Sequence, residues 1–301
     1  MSESEVILQE ADARIAQYRA AEKRCTRIAW VFILLFVAEL ILCLIGRPPA
    51  LIAFAVALAG IVAVYFRLNQ LSAKIRTEQD CIVRSVLEET FEQVARYDSK
   101  GQIDPYIIRH TDMGLPAFRQ MQGSDLIQAR YRGHVFAFSN LELIRTGATE
   151  AGGSRKTKTA VFSGCWCNLQ TGLTFPAPLT VSTIGKEPPT GKGTVLSGGN
   201  AEFDSRFLLR SAAPEQAAAM VTPQLTELAE TLADRHGGLH LHLAPNGLIQ
   251  LAIPMDAPFF PRSRPTTADL RQQASRDTTF FTELLDIVIN ALCRDDSIPQ
   301  K

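Results

Sequence analysis

Three histidines, two cysteines and one glutamate are the residues whose types and spacing could do chemistry. His240 and His242 alternate as H-x-H, so on a strand their imidazoles share a face, and His236 lies just upstream. Neutral imidazole is a common metal ligand, and Asp234 could orient one of these rings through a hydrogen bond. H-x-H alone is a weak metal signal, and the expectation is a solvated sheet face. Cys165-Trp166-Cys167 likewise places two thiols on one strand face. Two-cysteine metal sites generally use C-x-x-C spacing and a second pair, which this chain lacks, so the expectation is core packing. Glu39 is the one charge inside a long apolar run. It could serve an ion path or a polar contact to another helix; without a basic partner in either apolar run, a protonated or hydrogen-bonded carboxyl is expected.

Two other motifs carry less. The segment from Gly185 to Gly191-Lys192-Gly193 departs from a phosphate-binding loop. It has five residues between the first Gly and the Gly-Lys pair, Gly follows Lys192, and Pro188 and Pro189 remove backbone donors. Arg130, Arg132, Arg145, Arg155, Lys156 and Lys158 make one region basic, which suits either a solvated face or anionic lipid headgroups. No G-x-S-x-G motif and no recognisable Cys/His frame occurs. The reading therefore leans away from an enzyme, and no cofactor or metal is expected.

The elements that must position these residues fall into two kinds. Ile28–Ile45 and 50–66 are apolar runs separated by Gly46-Arg47-Pro48-Pro49. At 1.5 Å rise per residue each run just spans ~30 Å of hydrocarbon, and neither keeps the polar face of a core helix. Lys23, Arg24 and Arg27 precede the first run, and Arg67, Lys74 and Arg76 follow the second. The excess of basic residues on that side predicts both termini in the cytoplasm. Acidic residues ahead of the first run, and a second run straight after it, argue against a cleaved signal. Residues 5–26 and 67–97 show apolar spacing at three and four, which predicts two helical arms able to pair as an antiparallel stalk.

From about residue 124 the apolar period changes to two. Strands are predicted from 124 to 131, 135 to 144, 159 to 169 and 173 to 184, with a surface loop over 185–200. Helices follow Pro214 and Pro223, the latter capped by Thr222 and closed at Gly237-Gly238. Residues 240–243 and 248–253 form a hairpin around Pro245-Asn246-Gly247, and a last helix runs from Arg264-Pro265-Thr266 to near Cys293. The predicted class is α+β: a transmembrane hairpin with a helical stalk, then a cytosolic antiparallel sheet with packed helices. The divisions expected are an N-terminal helix over 1–27, the hairpin over 28–66, a juxtamembrane helix over 67–98, and the α+β domain over 99–301. Lys+Arg and Asp+Glu both number 31, so the net charge is zero and a globally basic nucleic-acid binder is excluded. Six cysteines in 301 residues do not make a disulfide framework.

Several segments resemble the bacterial domain of unknown function 3137 family. They are Gly123-Ser124-Asp125-Leu126-Ile127, Tyr131-Arg132-Gly133-His134 through Ser139, Val161-Phe162-Ser163-Gly164-Cys165-Trp166, Glu202-Phe203 with Phe207, Pro214-Glu215-Gln216-Ala217, Val221-Thr222-Pro223, and Leu248 to Pro254. The family often has Glu after that Ser, where this chain has Asn140. The resemblance implies a bacterial inner-membrane protein with a cytosolic α+β domain, and carries no site residues. It also points to a shared envelope process with LemA-type membrane proteins. The expected role is an interaction or regulatory module that binds a partner protein or lipid headgroups. The rival readings are a membrane-tethered metal- or thiol-dependent enzyme and an oligomeric transport or channel subunit.

Overall fold

The structure is a computed structural model that describes residues 3–45, 51–148, 156–185, 189, 191–260 and 266–293. The Gly46–Pro49 turn, Arg155 and the Arg264-Pro265 helix start lie outside the described residues. Contacts divide the chain into two units: Met1–Ser85 with Arg262–Gln272, and Val86–Pro261 with Gln273–Lys301.

Two helices dominate the first unit, α1 (Glu3–Leu44) and α2 (Leu51–Thr90), whose last residues belong to the second unit. At 1.5 Å per residue α1 is about 60 Å long, roughly twice a hydrocarbon core. The two helices run antiparallel. The rings of Phe36 and Phe54 stand 4.9 Å apart, and Phe32 covers Gly60, where an added Cβ would come within 2.4 Å of the ring. Further along, Lys74 lies over the Tyr18 ring at 5.7 Å, and Arg14 pairs with Glu78 at 3.4 Å. The polar ends bury Ala11, Ile15, Leu71 and Ile82, in keeping with the three-four spacing. The apolar ends bury almost nothing outward: Trp30, Leu34 and Ile52 are 61%, 64% and 80% exposed.

The second unit is built on one sheet. Its strands are β1 (Gln93–Asp98), β2 (Gln120–Tyr131), β3 (His134–Ala148), β4 (Lys156–Gln170), β5 (Leu179–Thr183), β6 (Thr194–Leu196), β7 (Phe207–Ser211), β8 (His240–Leu243) and β9 (Leu248–Pro254). They lie in the order β1-β2-β3-β4-β9-β8-β5-β7-β6, and every paired neighbour is antiparallel. Between β2 and β3 the chain reverses through Arg132 and Gly133, both at positive φ (49° and 78°), the geometry of a tight two-residue hairpin turn. The helices are α3 (Pro105–His110), α4 (Ala201–Arg206), α5 (Pro214–Ala218), α6 (Pro223–His236) and α7 (Thr267–Leu292). Thr222 caps α6 by accepting from the Leu225 N–H, and Gly237 closes it in the left-handed conformation.

The structure is therefore α+β, as the change of period predicts. Three details differ from the sequence reading. α2 ends at Thr90, and 93–98 pairs as edge strand β1 where a helix was expected to continue. The segment expected to be a strand from 173 contributes only Leu179–Thr183. The loop expected over 185–200 holds β6, and β7 follows where no strand was anticipated.

Register sorts the sheet into two faces. Phe136 and Phe138 share one with Cys165, Cys167, Leu251, Leu241 and Val181. Phe281 of α7 stacks on Phe138 at 4.3 Å, and the buried Leu284, Leu285 and Val288 continue that apolar stripe of α7. Each such side chain contributes about 1.5–3 kcal/mol on burial, which makes this face the main core. The opposite face carries Trp166, Ala252, His240, His242, Thr180 and Ser182. Its core joins Trp166 and Ala252 to Ile103, Ile108, Met113 and Leu115.

Candidate functional site: a strapped polar sheet face

The opposite face gathers most of the polar chemistry. Cross-strand partners Arg210, Thr180, His242, Gln250 and Asn168 form a row of polar residues across β7, β5, β8, β9 and β4. The Asn168 side-chain oxygen accepts from Trp166 Nε1 at 2.7 Å and from Gln250 Nε2 at 3.2 Å. Ser182, His240, Ala252 and Trp166 form the adjacent row.

The chain from Thr111 to Phe118 straps this face. Thr180 Oγ1 donates to the Asp112 carbonyl at 2.6 Å, and Ser182 Oγ donates to the Met113 carbonyl at 3.0 Å. The Asp112 carboxylate accepts from the Lys192 N–H at 2.7 Å. Gly114 has a φ of 66°, and a Cβ there would sit 2.2 Å from Ser182 Oγ, so only glycine lets the strap approach β5 this closely. Arg145 Nε holds the far end through the Ala117 carbonyl at 3.2 Å.

Both strand histidines lie under or beside this strap. The Thr180 hydroxyl spends its one proton on Asp112, so at 3.0 Å its oxygen accepts from His242 Nδ1–H, which fixes that tautomer. Burial lowers the His242 pKa, opposed by the Asp112 charge. His240 is pushed down to about 4 by burial, opposed by the Met113 carbonyl. Its ring stands edge-on to Phe162 at 6.1 Å, and its Nδ1 is buried without a hydrogen-bond partner. The expected solvated face is thus a largely covered one: the strap, invisible to local periodicity, removes water from both rings. His236 is elsewhere, at the end of α6 with its ring 4.9 Å from Phe280 of α7. The three histidines do not converge, and among the described residues no three His, Cys, Asp or Glu side chains cluster at metal-binding distance.

Cys165 and Cys167 share a strand face, as their spacing requires, and both are fully buried. Desolvation pushes the Cys165 thiol up to about 12 and Cys167 well above its ordinary value. A raised pKa disfavours the thiolate that nucleophilic or metal chemistry needs. Glu39 is half-buried on α1, within the apolar stretch.

A second polar cluster is structural. Asp125, at a φ of 57° in the β2 bulge, accepts from Tyr97 Oη, Ser124 Oγ and Asn140 Nδ2. Asn140 Oδ1 accepts from the Phe259 N–H at 2.9 Å, and Asp277 accepts from the Phe260 N–H at 2.7 Å. These bonds pin the 259–260 turn, which carries two buried aromatics, to the sheet and to α7. Asn at 140 both donates to Asp125 and accepts from the Phe259 amide; an ionised Glu could not donate. Gly164 is also explained: a Cβ there would lie 2.0 Å from the Ile253 carbonyl of β9.

Sequence reasoning missed Asp112, Thr180, Ser182 and Arg210. The available signal was Thr180 and Ser182 alternating with Leu179 and Val181, a pattern that marks one polar face on a strand.

The chain matches no family model and no curated protein. Among solved structures, the mycobacterial trehalose monomycolate transport factor A, TtfA, aligns at 12% identity over 74% of this chain and 96% of that one, with a TM-score of 0.37. A likeness of that depth carries no functional information.

Proposed function

We propose that the chain is an integral membrane protein of the bacterial inner membrane, with two spans and both termini cytoplasmic, and that its sheet unit is an interaction module. One observation carries the reading. Both long helices contain an 18-residue apolar window, and 0% and 6% of those windows is buried. Apolar helices left almost wholly uncovered outside their contact with each other need an apolar solvent. The polar halves of the same helices pair by an amphipathic stripe, which makes them a stalk below the membrane.

The interaction role rests on the sheet unit. Its thiols are held protonated and its histidines are apart, so it lacks an assembled nucleophile, base or ligand set among the described residues. It offers binding surfaces instead. The partner is a membrane protein, of the LemA type to which the family resemblance points, or anionic lipid headgroups; self-association is a further route.

Cysteine accessibility tests the topology. Cys81 is exposed on the stalk. A membrane-impermeant maleimide labels it in inverted vesicles and not in intact spheroplasts if the reading is right, whereas Arg47→Cys is labelled in spheroplasts. The reverse pattern, or recovery of the whole protein in the soluble fraction, overturns it. Native-membrane capture in mild detergent then tests the module: a stoichiometric membrane-protein partner that is lost on deleting 99–301 supports it.

A further inference from the structure

The polar face beneath the strap contains a cavity that nothing above explains. It has a volume of about 420 Å³ and is walled by Gly114, Pro116, Ala160, Phe162 and Pro254, with His240 at one side. That volume lies in the range of small-molecule pockets. Its described lining residues include no charged side chain. Ser163 and Thr183 also lie along the wall.

His240 supplies the specific feature. Its Nδ1 is buried and has no hydrogen-bond partner. A buried polar atom left unpaired costs about 1–3 kcal/mol, and buried polar atoms in folded proteins are otherwise almost always paired. Thr180, Ser182 and His242 on this face are all committed to the strap or to each other, and Arg210 Nε is the other buried side-chain atom without a partner among the described residues. His240 lines this cavity, which is large enough to admit a partner for that nitrogen.

We propose that this cavity binds a neutral, mainly apolar molecule through a single hydroxyl group paired with His240 Nδ1. The chemistry of the lining selects that class. A hydroxyl both donates and accepts, so it satisfies Nδ1 in either ring tautomer. A carboxylate or phosphate would sit beside a ring that resists protonation, with no cation among the described lining residues to balance it. An ammonium group would likewise find no carboxylate among the described lining residues. An unsubstituted hydrocarbon would leave Nδ1 as it is.

The test uses full-length protein in lipid nanodiscs, with histidine labelled by nitrogen-15. The chain has five histidines, so the ring spectrum is small. The probes are 1-hexanol, hexanoate and hexyltrimethylammonium at pH 8, matched in chain length. Hexanol is expected to move the His240 Nδ1 resonance saturably, and the two charged probes to leave it in place at equal concentration. Ala160→Trp, which fills the cavity from an exposed position, should weaken hexanol binding at least tenfold while the other four histidine signals stay put. His240→Phe keeps the ring shape and should weaken binding similarly, with a melting temperature no lower than the parent's. The proposal is overturned if hexanol leaves His240 unmoved, if hexanoate binds as well as hexanol, or if Ala160→Trp binds hexanol like the parent. If His240→Phe fails to fold, the Ala160→Trp result decides.

Discussion

The helical hairpin and the sheet unit use the same apolar residue types in opposite ways. In the sheet unit Leu241, Leu251, Ile249 and Val181 are all fully buried, and Thr180, Ser182 and His242 of the covered face are tied down by hydrogen bonds. In the hairpin Val31, Leu34, Leu40, Ile52 and Val56 face outward, and the inward positions are small or aromatic: Ala57 is 1% exposed and Gly60 receives Phe32. Water drives the first arrangement. In the second, close helix approach over small residues needs no water, and the outer surface stays uncovered, as the proposed membrane insertion requires. Residue type alone therefore does not say where the inside is; the surrounding solvent does.

The largest expected effect comes from placing the same charge in each setting. Leu251→Arg puts an unpaired cation in the sheet core and should abolish the cooperative unfolding transition of that unit, a loss of more than about 4 kcal/mol. Leu34→Arg should leave that transition in place and instead reduce membrane retention, since Arg at mid-span costs about 2.5–3.5 kcal/mol on insertion scales. Urea unfolding followed by Trp166 emission, in a Trp30→Phe background, reads the first; fractionation reads the second. If Leu34→Arg unfolds the sheet unit, the two regions are not independent in the way the comparison requires.

The next effect is a pH dependence confined to the sheet unit. His240 is held at about 4, whereas an imidazole in water has 6.5. Between those values the unfolded chain binds more protons than the folded one. The stability from neutral His240 is thus fully present above pH ~6.5 and falls as the pH drops toward 4, by about 2 kcal/mol at pH 5. His236 and His242 are lowered as well, chiefly by burial, and add to the same slope. Urea midpoints at pH 7.5 and pH 5 measure it. His240→Phe should remove most of the slope; an unchanged slope would show that the strap does not bury this ring.

Asn140 gives an intermediate effect and shows how much of the molecule was legible. Asn140→Ala strips partners from Asp125 and from the Phe259 amide and should cost about 1–3 kcal/mol. Asn140→Glu should cost more at neutral pH, because it sets a second carboxylate beside Asp125, and should recover as the pH falls. From sequence, the Gly-Ser-Asp and Ser-Asn segments read as parts of two strands. Their joint role could not be read, because Phe259 lies 119 residues from Asn140 and no local period links them. The same distinction holds elsewhere. The hairpin, its stalk arms, the Arg132-Gly133 turn, the α6 caps and the 240–253 hairpin are local patterns, and the structure has them. β1, β6 and β7 are short edge or near-edge strands with weak alternation. The strap over 111–118 has no period at all, so the covering of His240 and His242, and the cavity beside them, lay outside what spacing can reveal. The cysteines needed only their spacing and type to be placed in the core.

The smallest effect sharpens the comparison within the hairpin itself. Arg14 and Glu78 pair across the stalk at 3.4 Å, with the Arg side chain 48% exposed and the Glu 17%. A pair this open to water is worth about 0–1 kcal/mol. The buried Ile15 and Leu71 are worth about 2–5 kcal/mol each against Ala, by lost transfer and residual cavity. If the stalk is held as a water-soluble core is held, Glu78→Gln should leave its proteolytic resistance nearly unchanged and remove what little salt dependence it has. Leu71→Ala should open the arms to trypsin at the basic residues 67, 74 and 76. Equal sensitivity to both substitutions would mean that ionic pairing, and not the apolar stripe, holds the polar half together, and the division of the hairpin into a water-driven half and a hydrocarbon-facing half would fail.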